Sequence, residues 1–530
     1  MTLSVFNNSK KKKVVNGYRL ILGYLGIFLI VTGIAMLLPL FTLFACPEEG
    51  AYAHYFYIPG LSSILVGSIL FVLIFRHEKG RLEKHQDSVL LVLIWLISIL
   101  VSSVPFILRG MDFTDSIFET TSAYSSTGFT LFDFNSDVAP KCFIVYRSVL
   151  IFLGGIGLVL VVTSAISDRY GLKLYTAEGH NDKLMPNLAK SARLILGIYT
   201  GYIVLGGLGL WLIGGMNLFD SFNHSTACLA TGGFSSRAGG FYEIITQDYA
   251  AGITNEIGLQ VNPLGVEIVS AILMLLGGTN FLIHMFIFSA KFKKIGKDCE
   301  FRFMCIFFII MVPLFFAAVY LSNSEGYTPL ESLRYGTYVF ISSITTSGFA
   351  NFPSIPALGP ATLTLIVLMT IIGGGMGSTS GGVKQYRLIV SIKSFYWSLV
   401  ERGSSKRMIY PHNISRLGEV NEVTDEDVNE SYNYILLYVL IVVGASFAQV
   451  LIANGQGLML NGKPITFADT IFEFANGISS CGLSNGLSAL KNPWINWITI
   501  FGMFLGRLEI YAVQLAIIRV AKDIVRKETY

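Results

Sequence analysis

The sequence predicts an all-α integral membrane protein. It has four tandem helix–pore-loop–helix units around a pseudo-fourfold pore, preceded by two additional transmembrane helices. Three observations predict this. The 530 residues are 53% apolar and only 14% charged, with a mean hydropathy of +0.61, which places the chain among membrane-embedded proteins. Apolar runs near the 20 or so residues needed to cross a bilayer recur along the chain. A short motif also occurs four times: Ser126-Thr127-Gly128-Phe129, Thr231-Gly232-Gly233-Phe234, Thr346-Ser347-Gly348-Phe349 and Ser480-Cys481-Gly482-Leu483. An internal repeat of this kind decides the architecture before any local feature does.

The spans are expected at 18–44, 56–76, 87–108, 143–167, 192–214, 263–290, 301–322, 361–396, 432–454 and 493–520. The segments 113–126, 218–231, 332–345 and 467–480 are too short to cross. They suit re-entrant half-helices, which membranes tolerate only where protein or water surrounds them. These elements divide the chain into 1–85 (a cytoplasmic N-terminus and two extra helices), 86–175 (unit 1), 190–297 (unit 2), 298–412 (unit 3) and 413–530 (an acidic linker, unit 4 and a tail).

Charge orients the map. Lys10 to Lys13, then Arg76, Lys79, Arg81 and Lys84, then Arg169, Lys173, Lys183 and Lys190 fall in alternate connections. So do Lys291, Lys293, Lys294 and Lys297, then Lys393, Arg402, Lys406 and Arg407, and finally Lys522, Arg526 and Lys527. Basic residues of short loops stay on the cytoplasmic side. Ten spans then put both termini inside and admit all four short segments from outside. The apolar stretch after the first lysines is too long for a cleaved signal and reads as a retained helix. The acidic segment 401–431 is too short for a nucleotide-binding fold and reads as a solvated linker. Six scattered cysteines offer neither a disulfide framework nor a metal site.

The glycines carry the chemistry. A dehydrated monovalent cation must exchange its water for protein oxygens, and a ring of backbone carbonyls supplies them. Glycine adopts the unusual backbone angles this demands. The expected carbonyl donors are Thr127, Gly128, Gly232, Gly233, Ser347, Gly348, Cys481 and Gly482, with Phe129, Phe234, Phe349 and Leu483 packing behind them. Asp115, Asp220 and Asp469 stand thirteen residues before their glycines, where a carboxylate offsets a helix dipole; the third unit has Tyr335 there. Glycine-mediated helix packing is the alternative, but it leaves unexplained why these glycines end non-spanning segments.

Residues 373–382 hold six glycines: Gly373, Gly374, Gly375, Gly377, Gly381 and Gly382, with Ser378 and Thr379 among them. Each glycine costs a helix about 1 kcal/mol, so the helix is expected to break there and form a gate below the third filter, its backbone satisfied by water. A close-packing surface is the alternative. Arg507 lies deep in an apolar helix, where it would act as a barrier or hold the gate; an ion pair with a carboxylate on another helix is the structural alternative. His284 reads as a satisfied packing histidine.

On these residues the chain resembles the Trk/Ktr/HKT superfamily of potassium transporters, closest to its TrkH/TrkG branch. Gly373 to Lys384 and Leu505-Gly506-Arg507-Leu508-Glu509 add to the likeness. The resemblance implies a homodimer with one pore per subunit, and potassium as the permeant substrate with no organic cofactor. It also implies a cytoplasmic ring of nucleotide-binding regulatory subunits of the RCK, TrkA-like kind, and residence in a bacterial inner membrane. Glycine at position 128 implies potassium selectivity. Membrane lipid is the further partner expected, and no nucleic acid. Two other functions compete. A secondary transporter coupling potassium to protons or sodium would show paired intramembrane carboxylates. A membrane enzyme would need a catalytic cluster, which the sequence does not offer.

Overall fold

The computed structural model describes residues 14–75, 79–81, 85–133, 139–158, 160, 188–322, 326–404 and 411–528. The charges expected at Lys10 to Lys13, Arg76, Lys84, Arg169, Lys173, Lys183, Lys406 and Arg407 lie outside the described residues. Among the described residues the chain is mostly helical, and each unit repeats one order: a leading helix, a short helix, a trailing helix.

The two N-terminal helices, Tyr18–Leu37 and His54–Phe75, form an antiparallel pair. Glycines set their contact. A methyl group at Gly26 would lie 2.7 Å from the Gly67 carbonyl oxygen, and one at Gly33 would lie 2.6 Å from that of Gly60. Small residues let helix backbones approach closely where lipid gives no hydrophobic drive.

Unit 1 runs Gln86–Ser102 with Val104–Leu108, then Phe113–Tyr124, then Lys141–Ile156. Unit 2 runs Leu188–Leu212, Leu218–Leu229, then Pro263–Gly277 and Phe281–Phe288. Unit 3 runs Cys299–Leu321, Pro329–Ile344, then Gly359–Ile372 and Gln385–Gly403. Unit 4 runs Asp425–Gly455, Phe467–Ile478, then Pro493–Leu508 and Ile510–Glu528.

Ten continuous spans were expected. Among the described residues six helices are long and apolar enough to cross, and eight if each bent pair counts as one. The difference lies in the trailing helices; the span expected for that of unit 1, to 167, runs beyond the described residues. Unit 2 bends by 110° between Gly277 and Phe281, and unit 4 by 99° between Leu508 and Ile510. Unit 1 ends its helix at Gly157, with φ 95°, and unit 3 at Gly373, with φ 71°.

The acidic linker is not wholly irregular. Asn413–Arg416 and Glu419–Glu422 form an antiparallel hairpin. Its two-residue turn, Leu417 at φ 52° and Gly418 at φ 81°, has the positive angles that suit a tight hairpin. Ile414 and Val423 pack with Ile389, Val390 and Phe303, so the hairpin belongs physically to unit 3, although the division drawn from sequence closed that unit at 412.

Gly33→Ala should overpack the N-terminal pair and lower the thermal unfolding midpoint in detergent, at a cost of about 1–3 kcal/mol. Gly50→Ala, whose methyl group meets nothing within 4 Å, should leave the midpoint where it is.

Candidate ion pathway

All four short helices end in the same way. The last helical residues, Tyr124, Leu229, Ile344 and Ile478, each stand four positions before a motif glycine. Two residues on, Ser126, Thr231, Thr346 and Ser480 take left-handed angles, with φ of 55°, 50°, 54° and 56°. The next amide reaches back five residues in every unit: Thr127 to Ser122, Gly232 to Ala227, Ser347 to Ser342 and Cys481 to Asn476, at 2.8–2.9 Å. This is a Schellman end, with a hydroxyl residue where glycine would normally sit. A side chain in that conformation costs about 1–2 kcal/mol. The expectation that the motif glycines themselves carry the unusual angles holds for Gly128 (φ 95°) and Gly348 (φ 79°), whereas Gly233 and Gly482 have ordinary φ.

The helix starts vary more. Asn217 caps Asp220, and Thr466 forms a reciprocal capping box with Asp469. Unit 3 has a helix of 16 residues against 12 in the others. Its box uses Thr328 and Glu331, one turn ahead of Tyr335, so the acid that position 335 lacks is present four residues earlier.

Beyond the helix ends the four chains converge. A methyl group at Gly128 would lie 2.7 Å from Gly233 Cα, and one at Gly348 would lie 2.1 Å from Gly482 N. At Gly482 it would meet the Thr127 carbonyl oxygen at 2.7 Å, and at Gly233 the carbonyl oxygens of Ser347 and Gly348 at 3.2 Å. Backbone meets backbone around one point, and no side chain fits there. Gly233 N–H donates to the Ser347 carbonyl at 2.5 Å. That oxygen is therefore engaged by unit 2. Phe129, Phe234, Phe349 and Leu483 are all buried behind the strands.

The 373–382 segment crosses directly beneath. The Thr379 hydroxyl donates to the Leu229 or Gly277 carbonyl (3.1 and 2.9 Å) and lies 3.1 Å from the Thr231 hydroxyl. Gly381 N–H donates to the Thr346 hydroxyl at 2.9 Å, and a methyl group at Gly381 would stand 2.0 Å from the Ser479 carbonyl oxygen. The loop thus touches the αL hydroxyl residues of units 2 and 3. On its other side, Gly375 N–H donates to the Gly278 carbonyl, Met376 N–H to Glu300, and Asn280 Nδ2 to the Met376 carbonyl, at 3.0, 2.8 and 2.6 Å. Water was expected to satisfy this backbone. Protein groups do much of that instead, because the bend of unit 2 lies alongside.

Arg507 reaches the loop. Its guanidinium donates to the Thr379 carbonyl at 2.8 Å and to the carbonyls of Gly154 and Gly155, where unit 1's trailing helix ends. The loop, Arg507 and Glu509 enclose a polar cavity of about 40 Å³. Glu509, at the bend, pairs with Arg387 at 2.6 Å.

Four strands thus converge above a braced loop, and family comparison gives the class of the protein. The chain belongs to the TrkH family of cation transport proteins, whose family model matches residues 53–523. An uncharacterized cation transporter of Methanocaldococcus jannaschii is 29% identical over 506 residues, covering 92% of this chain and 94% of that one. The Trk system potassium uptake protein TrkH of Salmonella typhimurium is 28% identical over 510 residues, 94% of this chain and 97% of its own. The Escherichia coli K12 protein of that name is 29% identical over 462 residues, 83% and 86%. The crystal structure of the potassium transporter TrkH from Vibrio parahaemolyticus shares the fold, with a TM-score of 0.75 at 20% identity over 94% of this chain and 98% of that one. The chain is a multi-pass membrane transporter of the TrkH branch, and not an enzyme.

Sequence reasoning overlooked several buried charges in this TrkH-family chain. Glu119, Glu473, Glu300 and Arg147 are all buried. Glu119 and Arg147 pair at 2.8 Å. The Arg147 guanidinium also lies 4.0 Å from the Phe234 ring centre. The repeat could have found Glu119 and Glu473, since both stand nine residues before their glycines. His284 meets the Leu276 carbonyl at 3.0 Å and the Thr279 hydroxyl at 3.1 Å, and is a packing histidine as expected.

Thr379→Val should remove the one hydroxyl bond that the Leu229 and Gly277 carbonyls share, a loss of about 1–3 kcal/mol. Hydrogen exchange of amides in 373–382 should then quicken by about tenfold or more, with the short helices unchanged.

Proposed function

We propose that this chain carries potassium into the cell as a channel-like subunit. The ring of Gly128, Gly233, Gly348 and Gly482 is its selectivity filter, and the 373–382 loop is its gate. One observation carries the reading: four strands of different sequence share one helix end and meet backbone to backbone, with a glycine-rich loop pinned directly below. The carbonyls of Thr127, Gly128, Gly233, Gly348, Cys481 and Gly482 are the oxygens that replace the ion's water, while those of Ser347 and Gly232, which accept from Gly233 N–H and Phe234 N–H, have only their second lone pair to offer. The short helices aim their partly negative ends at the ring, which favours cations. The printed names of the Salmonella and E. coli relatives, both potassium uptake proteins, support potassium as the ion.

An interior-negative membrane supplies about 2.3 kcal/mol per charge per 100 mV, so entry needs only an opened gate. Arg507 holds the loop at the Thr379 carbonyl. The competing reading couples potassium to protons or sodium. Coupling asks for carboxylates facing the path. Glu119 and Glu473 instead accept hydrogen bonds from structural donors, which favours the channel-like reading.

Regulation follows the family expectation: a homodimer in the inner membrane, both termini cytoplasmic, bearing a ring of nucleotide-binding RCK, TrkA-like subunits. Lys291, Lys293, Lys294, Lys393, Arg402, Lys406 and Arg407 are the docking candidates, with lipid headgroups as competitors. A continuous route leads inward from this face. Leu417 N–H in the hairpin donates to Asp298, Asp298 caps the helix bearing Glu300, and Glu300 accepts from Met376 in the loop.

Potassium flux in an uptake-deficient host, with and without a coexpressed regulatory subunit, tests the whole reading; flux that requires a proton or sodium gradient would overturn it. Gly128→Ser should raise sodium permeation relative to potassium. Removing residues within 375–381, or Arg507→Ala, should raise potassium flux and weaken its dependence on the regulatory subunit. Zero flux in both, with normal expression, would make the loop a structural element.

A further inference from the structure

From the strands just beyond the ring we infer a set of positioning residues that hold the filter at its selective width, in three units from the unit's own short helix and in the third from its neighbour. This inference rests on the filter reading above.

The pattern is a register. Nine residues before each ring glycine stand Glu119, His224, Val339 and Glu473, all fully buried. Two residues after it stand Thr130, Ser235, Ala350 and Ser484. In three units the two positions are joined. Glu119 accepts from the Thr130 hydroxyl at 3.0 Å and from Leu131 N–H at 2.9 Å. Glu473 accepts from the Ser484 hydroxyl at 2.8 Å, from Asn485 N–H at 3.0 Å and from Ser488 N–H at 3.1 Å. His224 donates from Nδ1 to the Asp220 carbonyl, and its Nε2 shares a hydrogen bond with the Ser235 hydroxyl, both at 2.8 Å. Each brace ties the strand leaving the ring to the helix entering it. The glycine between them is therefore fixed at both ends.

In unit 3 the same positions are Val339 and Ala350, which have no group to make this bond. There the tie comes from outside. Asn351 donates to Glu267 at 2.9 Å, and Arg334 in the short helix grips the same carboxylate at 2.6 and 2.8 Å. Glu267 belongs to the trailing helix of unit 2, which ends at Gly277 and Gly278, whose carbonyls hold Thr379 and Gly375 of the crossing loop. The width of the ring at Gly348 is thus set by the helix that also seats the loop. Charged acceptors make stronger bonds than neutral ones, and in a dry site a lost partner leaves the carboxylate unsatisfied.

The test is the potassium-to-sodium permeability ratio, read beside maximal potassium flux. Ser484→Ala should lower the ratio by about threefold or more, the scale of one net hydrogen bond. Ser484→Thr should restore it, since unit 1 uses threonine at this position. Asn351→Ala should lower the ratio likewise, and should lose that effect when residues within 375–381 are removed, because the seat of the loop no longer bears on Glu267. Glu473→Gln should act more strongly, and if it fails to express, the Ser484 pair decides. A wild-type ratio in Ser484→Ala and Asn351→Ala, with Gly128→Ser still changing selectivity, would overturn the brace and leave the filter. A wild-type protein that does not select potassium would overturn the filter reading itself.

Discussion

The hydrogen-bonded end of the short helix is the constraint on which everything else depends. In each unit the amide after the αL hydroxyl residue reaches back five residues, and this turns the chain sharply into the strand that carries the ring glycine. The turn is unfavourable for Ser126, Thr231, Thr346 and Ser480 taken alone. It persists because burial and the doubled backbone bonds over-determine it. Glycine at those positions would remove the strain, and with it two of the hydroxyls that the crossing loop uses, at Thr231 and Thr346. A conformational cost in the helix end thus becomes a contact surface for the loop below.

Close backbone approach is the second constraint, and it uses glycine in three distinct ways. In the N-terminal pair it brings two helices together. In the trailing helices it seats the short helices: methyl groups at Gly154, Gly277 and Gly506 would lie 2.0, 2.3 and 1.7 Å from the carbonyl oxygens of Tyr124, Leu229 and Ile478. In the ring it admits four backbones to one point. Close helix packing and the backbone convergence proposed to coordinate the ion, treated as alternatives when reading the sequence, involve different glycines of one chain.

The repeat made the architecture legible. Four motif glycines at the ends of short segments forecast the convergence, and six glycines in ten residues forecast the break at Gly373. Most of the parts that were not legible depend on contacts between units. Breaks in units 1, 2 and 4 lack a glycine run long enough to announce them. Glu509 (φ 60°) turns unit 4 without any glycine at that residue, held by Arg387 from unit 3. Arg507 was placed deep in its helix, but that its partners would be carbonyls of units 1 and 3 could not be read from that helix alone. Glu119 and Glu473 were passed over because a carboxylate at membrane depth was sought as a coupling group. Here it serves as an acceptor for backbone amides and hydroxyls.

The bracing differs in the unit that carries the crossing loop. Units 1, 2 and 4 tie the strand beyond the ring to their own short helix, and Arg147 of unit 1 adds a bond to the Ser235 carbonyl of unit 2. Unit 3 has Val339 and Ala350 at the bracing positions and depends on Glu267 from unit 2. A loop displaced from Gly277 and Gly278 shifts the end of the helix that bears Glu267. The strand reached by that shift is the third, whose αL residue, Thr346, already receives Gly381 N–H from the loop. Two paths from the loop, one direct and one through the neighbouring helix, arrive at Gly348. On the filter and gate reading proposed above, the third quadrant is where loop position and ring width are most closely joined, although the loop also bonds to Thr231 and Leu229 of unit 2.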